Sequence, residues 1–252
     1  MASLSETIRS FNRFELKYLV RIQQAEAFKQ ALSAHLTPDQ HGSYQVTSLY
    51  YDSPDHRFYW EKIDGIRFRR KLRLRIYEAP QVFTAQTPVF IEIKQRLDRV
   101  TQKRRMTLPY ASALDLAEGR SLSILEGLSE TSAVQDASLA HEVLQMAWQY
   151  DLRPAAWITY QRQALTGGDL DIGLRVTFDR DLFFRAHNLR LDDLPAGQAL
   201  FPPGWIVIEI KVNERIPYWL TELVAQHNLK LTRMSKYCHA IEVAQLAASN
   251  TH

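Results

Sequence analysis

The amino-acid sequence predicts an α+β fold: an antiparallel β-barrel tunnel of about eight strands with a charged interior, flanked by helices. Three observations carry this. In residues 66–77 the odd positions are Arg67, Arg69, Lys71, Arg73, Arg75 and Tyr77, and the even ones are Ile66, Phe68, Arg70, Leu72, Leu74 and Ile76. Side chains alternate faces along a strand, so one face is cationic and the other, Arg70 aside, is apolar. The same division recurs far away in sequence, with Phe90, Glu92, Lys94 and Arg96 sharing one face and Val207, Glu209, Lys211 and Asn213 another. Between the strands lie stretches with helical spacing, able to cover the apolar side. An ordinary barrel fills its middle with apolar side chains. Here the charged faces are too many for one open surface, so they turn inward around water, with the apolar faces outside under helices.

Neighbouring like charges on a strand repel, and five of them need an anion. A solvated face is the plain alternative for any charge run. Arg outnumbers Lys in the run, and Arg suits bidentate contact with phosphate; this favours a polyanion site. Between Arg57 and Arg105, fourteen Lys or Arg stand against Glu61, Asp64, Glu78, Glu92 and Asp98, although the whole chain carries only +3. A field concentrated in this way attracts a phosphate-rich ligand.

The 252 residues, 46% hydrophobic and 23% charged, describe an ordinary globular chain. A single domain over 1–252 is expected, its core about 13–241, with a helical insertion at about 110–153. Cys238 is the sole cysteine, which excludes an internal disulfide and a cysteine-based metal cluster and leaves a buried thiol as its expected state. No signal-like or membrane-length apolar run occurs, so a cytoplasmic location without a membrane segment is expected. Nothing in the pattern speaks to an oligomeric state. No Walker loop, GxGxxG, HExxH or nucleophile elbow is present. Nucleic acid is not the expected partner, because the arginines of residues 67–75 alternate with aliphatic residues that need burial rather than with aromatics free to stack on bases.

In order along the chain, residues 13–20 alternate as a strand, and Ile22, Ala25, Phe28, Ala31 and Leu32 give a helix over 22–36 that Pro38 stops. Residues 44–51 are β-branched and aromatic, a second strand. Asp52-Ser53-Pro54-Asp55 turns the chain and can cap a short helix near 55–62. After the basic strand, 88–97 and 99–108 form a strand pair. Tyr110 to Arg153 is helical, with Val143, Leu144, Ala147 and Trp148 at spacings of three and four. Strands resume at 156–165, 170–179 and 181–186; residues 187–204 read as a loop or short hairpin. Residues 205–213 are a strand, Pro217 opens a helix to about Asn228, 229–236 link, and Tyr237–Ala248 close as a helix.

Ile91-Glu92-Ile93-Lys94 and Ile208-Glu209-Ile210-Lys211 each set a Glu and a Lys on one strand face, as do Glu15 and Lys17. Such a carboxylate serves as a metal ligand, a general base or a charge partner. Hard Mg2+ or Mn2+ often bind through one or two carboxylates plus substrate phosphates. Arg162, with Tyr160 on the same face, and Arg175 add inward cations. Arg233-Met234-Ser235-Lys236-Tyr237 taken alone reads as a solvated helix start.

Arg13-Phe14-Glu15-Leu16-Lys17-Tyr18, Ser48-Leu49-Tyr50-Tyr51-Asp52, residues 72–77, the two Ile-Glu-Ile-Lys tetrapeptides and Ser235-Lys236-Tyr237 together resemble the VTC domain, the polyphosphate polymerase branch of the CYTH-like triphosphate tunnel metalloenzymes. These motifs stand in the family's order and span nearly the whole chain. The resemblance implies a tunnel that binds ATP and a growing inorganic polyphosphate chain with Mn2+ (or Mg2+). By motif it implies Arg73, Arg75, Lys94, Arg162, Arg175 and Lys236 as catalytic cations and Lys17, Tyr160, Lys211 and Ser235 as substrate ligands. Glu209 matches the metal ligand. Lys62, Arg233 and Lys103 or Arg104 fall near further substrate positions. The expected activity is ATP-dependent polyphosphate synthesis. The alternatives are a triphosphatase of the same fold, although Phe90 and Val207 stand where its ExExK motif wants a first Glu, and a polyphosphate-binding module without turnover.

Overall fold

In the computed structural model, residues 13–78, 80–98, 100–120, 134–168, 171–192, 197–213 and 215–249 are described. The chain runs β1 (Arg13–Arg21), α1 (Ile22–Leu32), β2 (Thr37–Asp52), α2 (Arg57–Ile63), β3 (Phe68–Tyr77), β4 (Pro88–Leu97), β5 (Val100–Pro109), α3 (Tyr110–Ala117), α4 (Val134–Tyr150), β6 (Arg153–Thr166), β7 (Arg175–Arg185), β8 (Gln198–Ala199), β9 (Trp205–Asn213), α5 (Tyr218–Gln226) and α6 (Lys236–Ser249). One antiparallel sheet takes the order β1-β9-β7-β6-β2-β3-β4-β5, with β8 beside β7. Its outer strands, β1 and β5, approach within 8 Å at their Cα atoms. The ladders do not join them among the described residues. An ion pair spans the seam instead, Lys94 on β4 to Glu15 on β1 at 2.7 Å. The α+β tunnel-like fold is therefore as expected, reached by a sheet that curls without a closing ladder.

The apolar faces lie outside, as the alternation requires. Leu72, Leu74, Ile76, Ile91, Ile93, Met106 and Leu108 pack under α3 and α4 through Leu116, Leu139, Val143 and Leu144. Ile206, Ile208, Ile210 and Val212 of β9 join Tyr18, Val20, Val176 and Phe178 under α1 and α5. Each such side chain fully removed from water contributes about 1.5–3 kcal/mol. Arg70, the exception on the apolar face, reaches Glu142 on α4 at 3.5 Å and Tyr150 Oη at 3.1 Å. Arg104 pairs with the same carboxylate.

Several boundaries differ from expectation for identifiable reasons. The stretches expected as strands at 170–179 and 181–186 are one strand, β7, although 169 and 170 lie outside the described residues. Asp181 sits at φ 52°, a bulge that reverses the alternation midway. Val176 and Phe178 face out before it, and Leu182 and Phe184 face in after it. Ile66 and Arg67 fall short of β3, where Arg67 closes the hairpin end on Asp98 at 2.5 Å. The first helix ends at Leu32, and Pro38 belongs to a longer β2 whose pairing with β6 shifts register between Pro38 and Ser43. The helical insertion supplies α3 and α4; its middle, 121–133, is outside the described residues.

Asp52 caps α2 from a distance, accepting hydrogen bonds from the backbone of Phe58 at 2.8 Å and Tyr59 at 3.1 Å. The Tyr237 hydroxyl donates to the same carboxylate, tying the start of α6 to α2. From there α6 enters one end of the curled sheet. Tyr237, Cys238, Ala240 and Ile241 pack on Ala156, Ile158, Leu182, Phe184 and Val207. The interior is thus charged over one part of its length and apolar where α6 fills it. No helix among the described residues is long and apolar enough to cross a membrane.

Candidate functional site

Antiparallel pairing sets the charges of β1 and β9 in a checkerboard, since Lys17 stands opposite Glu209 and Glu15 opposite Lys211. Glu209 meets Lys211 at 2.9 Å, Lys236 at 2.9 Å, Lys17 at 3.3 Å and Arg162 at 3.7 Å. Glu15 meets Lys94 at 2.7 Å and Lys17 at 3.8 Å. Burial alone would raise the Glu209 carboxyl; the ammonium groups of Lys17, Lys211 and Lys236 overcome it and hold the pKa well below the usual range.

Next to this row lies Asp179 of β7, fully buried. It takes two hydrogen bonds from Arg162, Nε to Oδ1 at 2.6 Å and Nη2 to Oδ2 at 2.7 Å, and a third from Lys236 Nζ at 2.6 Å. Lys236 therefore bridges Asp179 and Glu209 while its ammonium lies 4.8 Å from the centre of the Tyr160 ring. The solvated reading of its cluster is corrected: Lys236 is buried. The anchoring of Tyr237 on Asp52 delivers it inward.

Across the tunnel, Glu92 is buried between Arg73 at 2.6 Å, Lys103 at 3.2 Å and Arg75 at 3.8 Å. Arg75 also donates to Ser48 Oγ at 2.9 Å and reaches Tyr160 Oη at 3.5 Å, and Arg73 donates to Tyr50 Oη at 3.0 Å. Arg175 binds Asp39 at 2.6 Å and Tyr44 Oη at 3.0 Å. Lys71 meets no carboxylate among the described residues: it donates to Ser235 Oγ at 3.0 Å and lies 3.2 Å from the buried Cys238 Sγ.

The fold thus gathers Lys17, Arg73, Arg75, Lys94, Tyr160, Arg162, Arg175, Lys211, Ser235, Lys236 and Glu209 around one interior, with Lys103 half-exposed near the seam. Lys62 and Arg233 stay outside this group, with Arg233 exposed and Lys62 Nζ donating to the Arg233 carbonyl at 3.3 Å. Lys103 faces in and Arg104 faces out. Asp179, Asp39 and Lys71 complete the site beyond the motifs, and Ser48 and Tyr50 join it from within the Ser48–Asp52 motif. Asp179 was accessible to the alternation rule, being two and four residues beyond Thr177 and Arg175; Asp39 follows Pro38 in a stretch with no strand signal.

The donor set suits a hard metal only in one form. No group of three His, Cys, Asp or Glu side chains able to hold a metal occurs among the described residues. Glu209 and Glu15, each already facing ammonium groups, can give single carboxylate ligands to a Mn2+ or Mg2+ that brings phosphate ligands with it.

Two groups would make binding of a polyanion in this interior sensitive to alkaline pH. Burial and Arg162 push Lys211 down to about 8 against the pull of Glu209. Burial would raise Tyr50, yet Arg73 and Arg75 bring it down to about 8. Above that pH one cation is lost and one anion gained inside the tunnel. Affinity for tripolyphosphate is expected to fall at least about tenfold between about pH 7 and pH 9.5, read by calorimetry. The Lys211→Arg/Tyr50→Phe double variant should show a clearly shallower profile, with the remainder due to Lys71, Lys103 and Tyr77, whose pKa values are also lowered; an equally steep one would exclude Lys211 and Tyr50 as the cause.

Residues 12–245 match the family model of the VTC domain. Over 223 residues the chain is 29% identical to vacuolar transporter chaperone complex subunit 4 of Trypanosoma brucei brucei, and over 224 residues 26% identical to the subunit of that name from Trypanosoma cruzi. Each alignment takes in 78% of this chain and 28% of the relative, so the chain spans under a third of their length. Among solved structures, the Pyrococcus horikoshii protein PH1819 superposes with a TM-score of 0.44 at 10% identity, covering 92% of this chain and 99% of that one. The Mimivirus capping enzyme triphosphatase gives 0.38 at 10%, covering 89% and 92%.

Proposed function

The chain belongs to the VTC domain family, and from that premise we propose that it is an ATP-dependent polyphosphate polymerase, working in the cytoplasm on ATP and inorganic polyphosphate. The observation that carries this reading is the excess of inward-facing cations over the carboxylates that order them. Glu92, Asp179, Glu209 and Glu15 fix Arg73, Arg162, Lys236 and Lys94 in place. Arg75 and Lys71 retain N–H groups for an anion. Phosphoryl transfer asks for alignment and charge neutralisation more than for covalent help. A terminal oxygen of the acceptor chain attacks the γ-phosphorus of ATP, the bond to the β–γ bridging oxygen breaks, and ADP leaves. That acceptor oxygen is already ionised, so no general base is needed.

In this reading Arg73, Arg75, Lys94, Arg162, Arg175 and Lys236 neutralise the reacting phosphates in a site that needs no reorganisation. Lys17, Lys103, Lys211, Tyr160 and Ser235 hold the chain, and Lys62 and Arg233 meet it beyond them. A Mn2+ (or Mg2+) ion held by Glu209 would add charge stabilisation on the donor phosphates.

Purified protein given ATP and Mn2+ is expected to produce polyphosphate chains resolvable on a sizing gel, with one ADP released per phosphate incorporated. Phosphate release without chain growth would replace this reading with a triphosphatase. Salt-sensitive polyphosphate binding without turnover would replace it with a binding module.

A further inference from the structure

The two ends of the charged interior differ. Toward one end, β3 and β4 place Arg69 opposite Arg96, two cations face to face. Toward the other, the inward positions of the same strands are aromatic. The Tyr77 and Phe90 rings meet at 5.5 Å and 73°, Tyr44 of β2 meets Tyr77 at 6.0 Å and 60°, and His41 meets Tyr44 at 5.9 Å and 79°. Val89 and Ile91, the neighbours of Phe90 on the opposite face, are in the outer core and fully buried. Phe90 and Tyr77 are only half-buried. Phe90 keeps part of its ring open to water on the cationic inner face, while Tyr77 packs one side on the inner cluster of Tyr44, Val46 and Tyr160.

The cations here are also placed for stacking. The Arg105 guanidinium lies 4.7 Å over the Phe90 ring, and Arg75 lies 5.8 Å from the centre of Tyr77. Arg105 is exposed and has no carboxylate partner among the described residues. A planar, charged group resting on Phe90 marks a ring face that accepts a flat π-partner, and an exposed Arg can leave that face for a phosphate. From Phe90 the inward side of β4 continues to Glu92 and its arginines. A ligand with a flat aromatic head and a phosphate tail matches that sequence of groups.

We propose that Tyr77 and Phe90, backed by Tyr44 and His41, seat the nucleobase of the triphosphate donor by stacking. This deepens the proposed function and rests on its reading of the interior as a nucleoside-triphosphate site. Stacking needs only a π-face, so all bases are accepted and the larger purines are held better.

The test compares ATP with tripolyphosphate, which lacks the nucleoside, by calorimetry on the full chain with the same divalent metal. Wild type should bind ATP about tenfold more tightly than tripolyphosphate. Phe90→Leu and Tyr77→Leu should each lose most of that preference with tripolyphosphate affinity unchanged, which also reports that the tunnel remains folded. Phe90→Tyr, which keeps an aromatic ring, should retain the preference. Equal affinities in wild type, or leucine variants that weaken both ligands alike, would overturn the nucleobase seat while leaving a polyphosphate tunnel standing. Absence of binding by either ligand would instead overturn the functional reading beneath it.

Discussion

Replacing Asp179 with alanine is expected to lower the unfolding free energy by about 3–5 kcal/mol, the usual cost of removing one partner from a buried ionic cluster. The carboxylate is fully buried and takes hydrogen bonds from both Arg162 and Lys236. Without it, the two cations share Glu209, which lies 2.9 Å from Lys236 but 3.7 Å from Arg162 and is already met by Lys17 and Lys211. For a chain of this size the loss corresponds to a fall in Tm of roughly 10 °C, measurable by calorimetry. Asp179→Asn, which keeps the shape and one acceptor, should lose less. Saturating tripolyphosphate should raise the Tm of the alanine variant more than that of wild type, since it supplies the missing negative charge. An alanine variant as stable as wild type would mean that water already screens these charges.

What could be read from the chain beforehand follows from what alternation can report. A period of two tells which residues share a face, and it gave the tunnel because β1, β3, β4 and β9 keep that period without interruption. Leu72, Leu74 and Ile76 lie under helices and Arg73 and Arg75 inside, as the pattern requires. Where a bulge resets the period the reading fails. The reversal at Asp181 made one strand look like two, and it set Leu182 and Phe184 on the face opposite to that expected from Val176 and Phe178; Asp179, before the bulge, stays in phase with Arg175.

Helical periodicity is silent in a different way. Tyr237, Cys238, Ala240 and Ile241 identify a buried face of α6, but nothing in that spacing says the face packs inside the sheet rather than over it. The plugged end was therefore not legible, and the inward position of Lys236 was legible only through the family motif, because it depends on a hydrogen bond from Tyr237 to Asp52, far away along the chain. Registers between distant strands were equally hidden. Each Glu–Lys pair could be seen as sharing a face, whereas the checkerboard arises only because Lys17 pairs opposite Glu209.

Under the proposed function, Lys236→Ala is expected to reduce polyphosphate synthesis by about 10²–10³-fold, the range seen when one preorganised charge-stabilising donor is removed, while the protein stays folded. The two effects separate because of what Lys236 leaves behind. Asp179 keeps both hydrogen bonds from Arg162, and Glu209 keeps Lys17 and Lys211. Neither carboxylate is stranded, so the stability loss should be well below that of Asp179→Ala. The ammonium itself is held charged, since Asp179 and Glu209 outweigh the effect of burial and raise its pKa. It serves as a fixed positive charge rather than a proton donor, so the residual activity of the variant should show the wild-type pH profile. A drop in kcat with an ADP-release KM near wild type would place Lys236 against the transferring phosphoryl group; a KM effect alone would make it a binding residue for the chain. Full activity in a folded Lys236→Ala protein would remove the α6 lysine from the chemistry and leave the strand arginines to account for it.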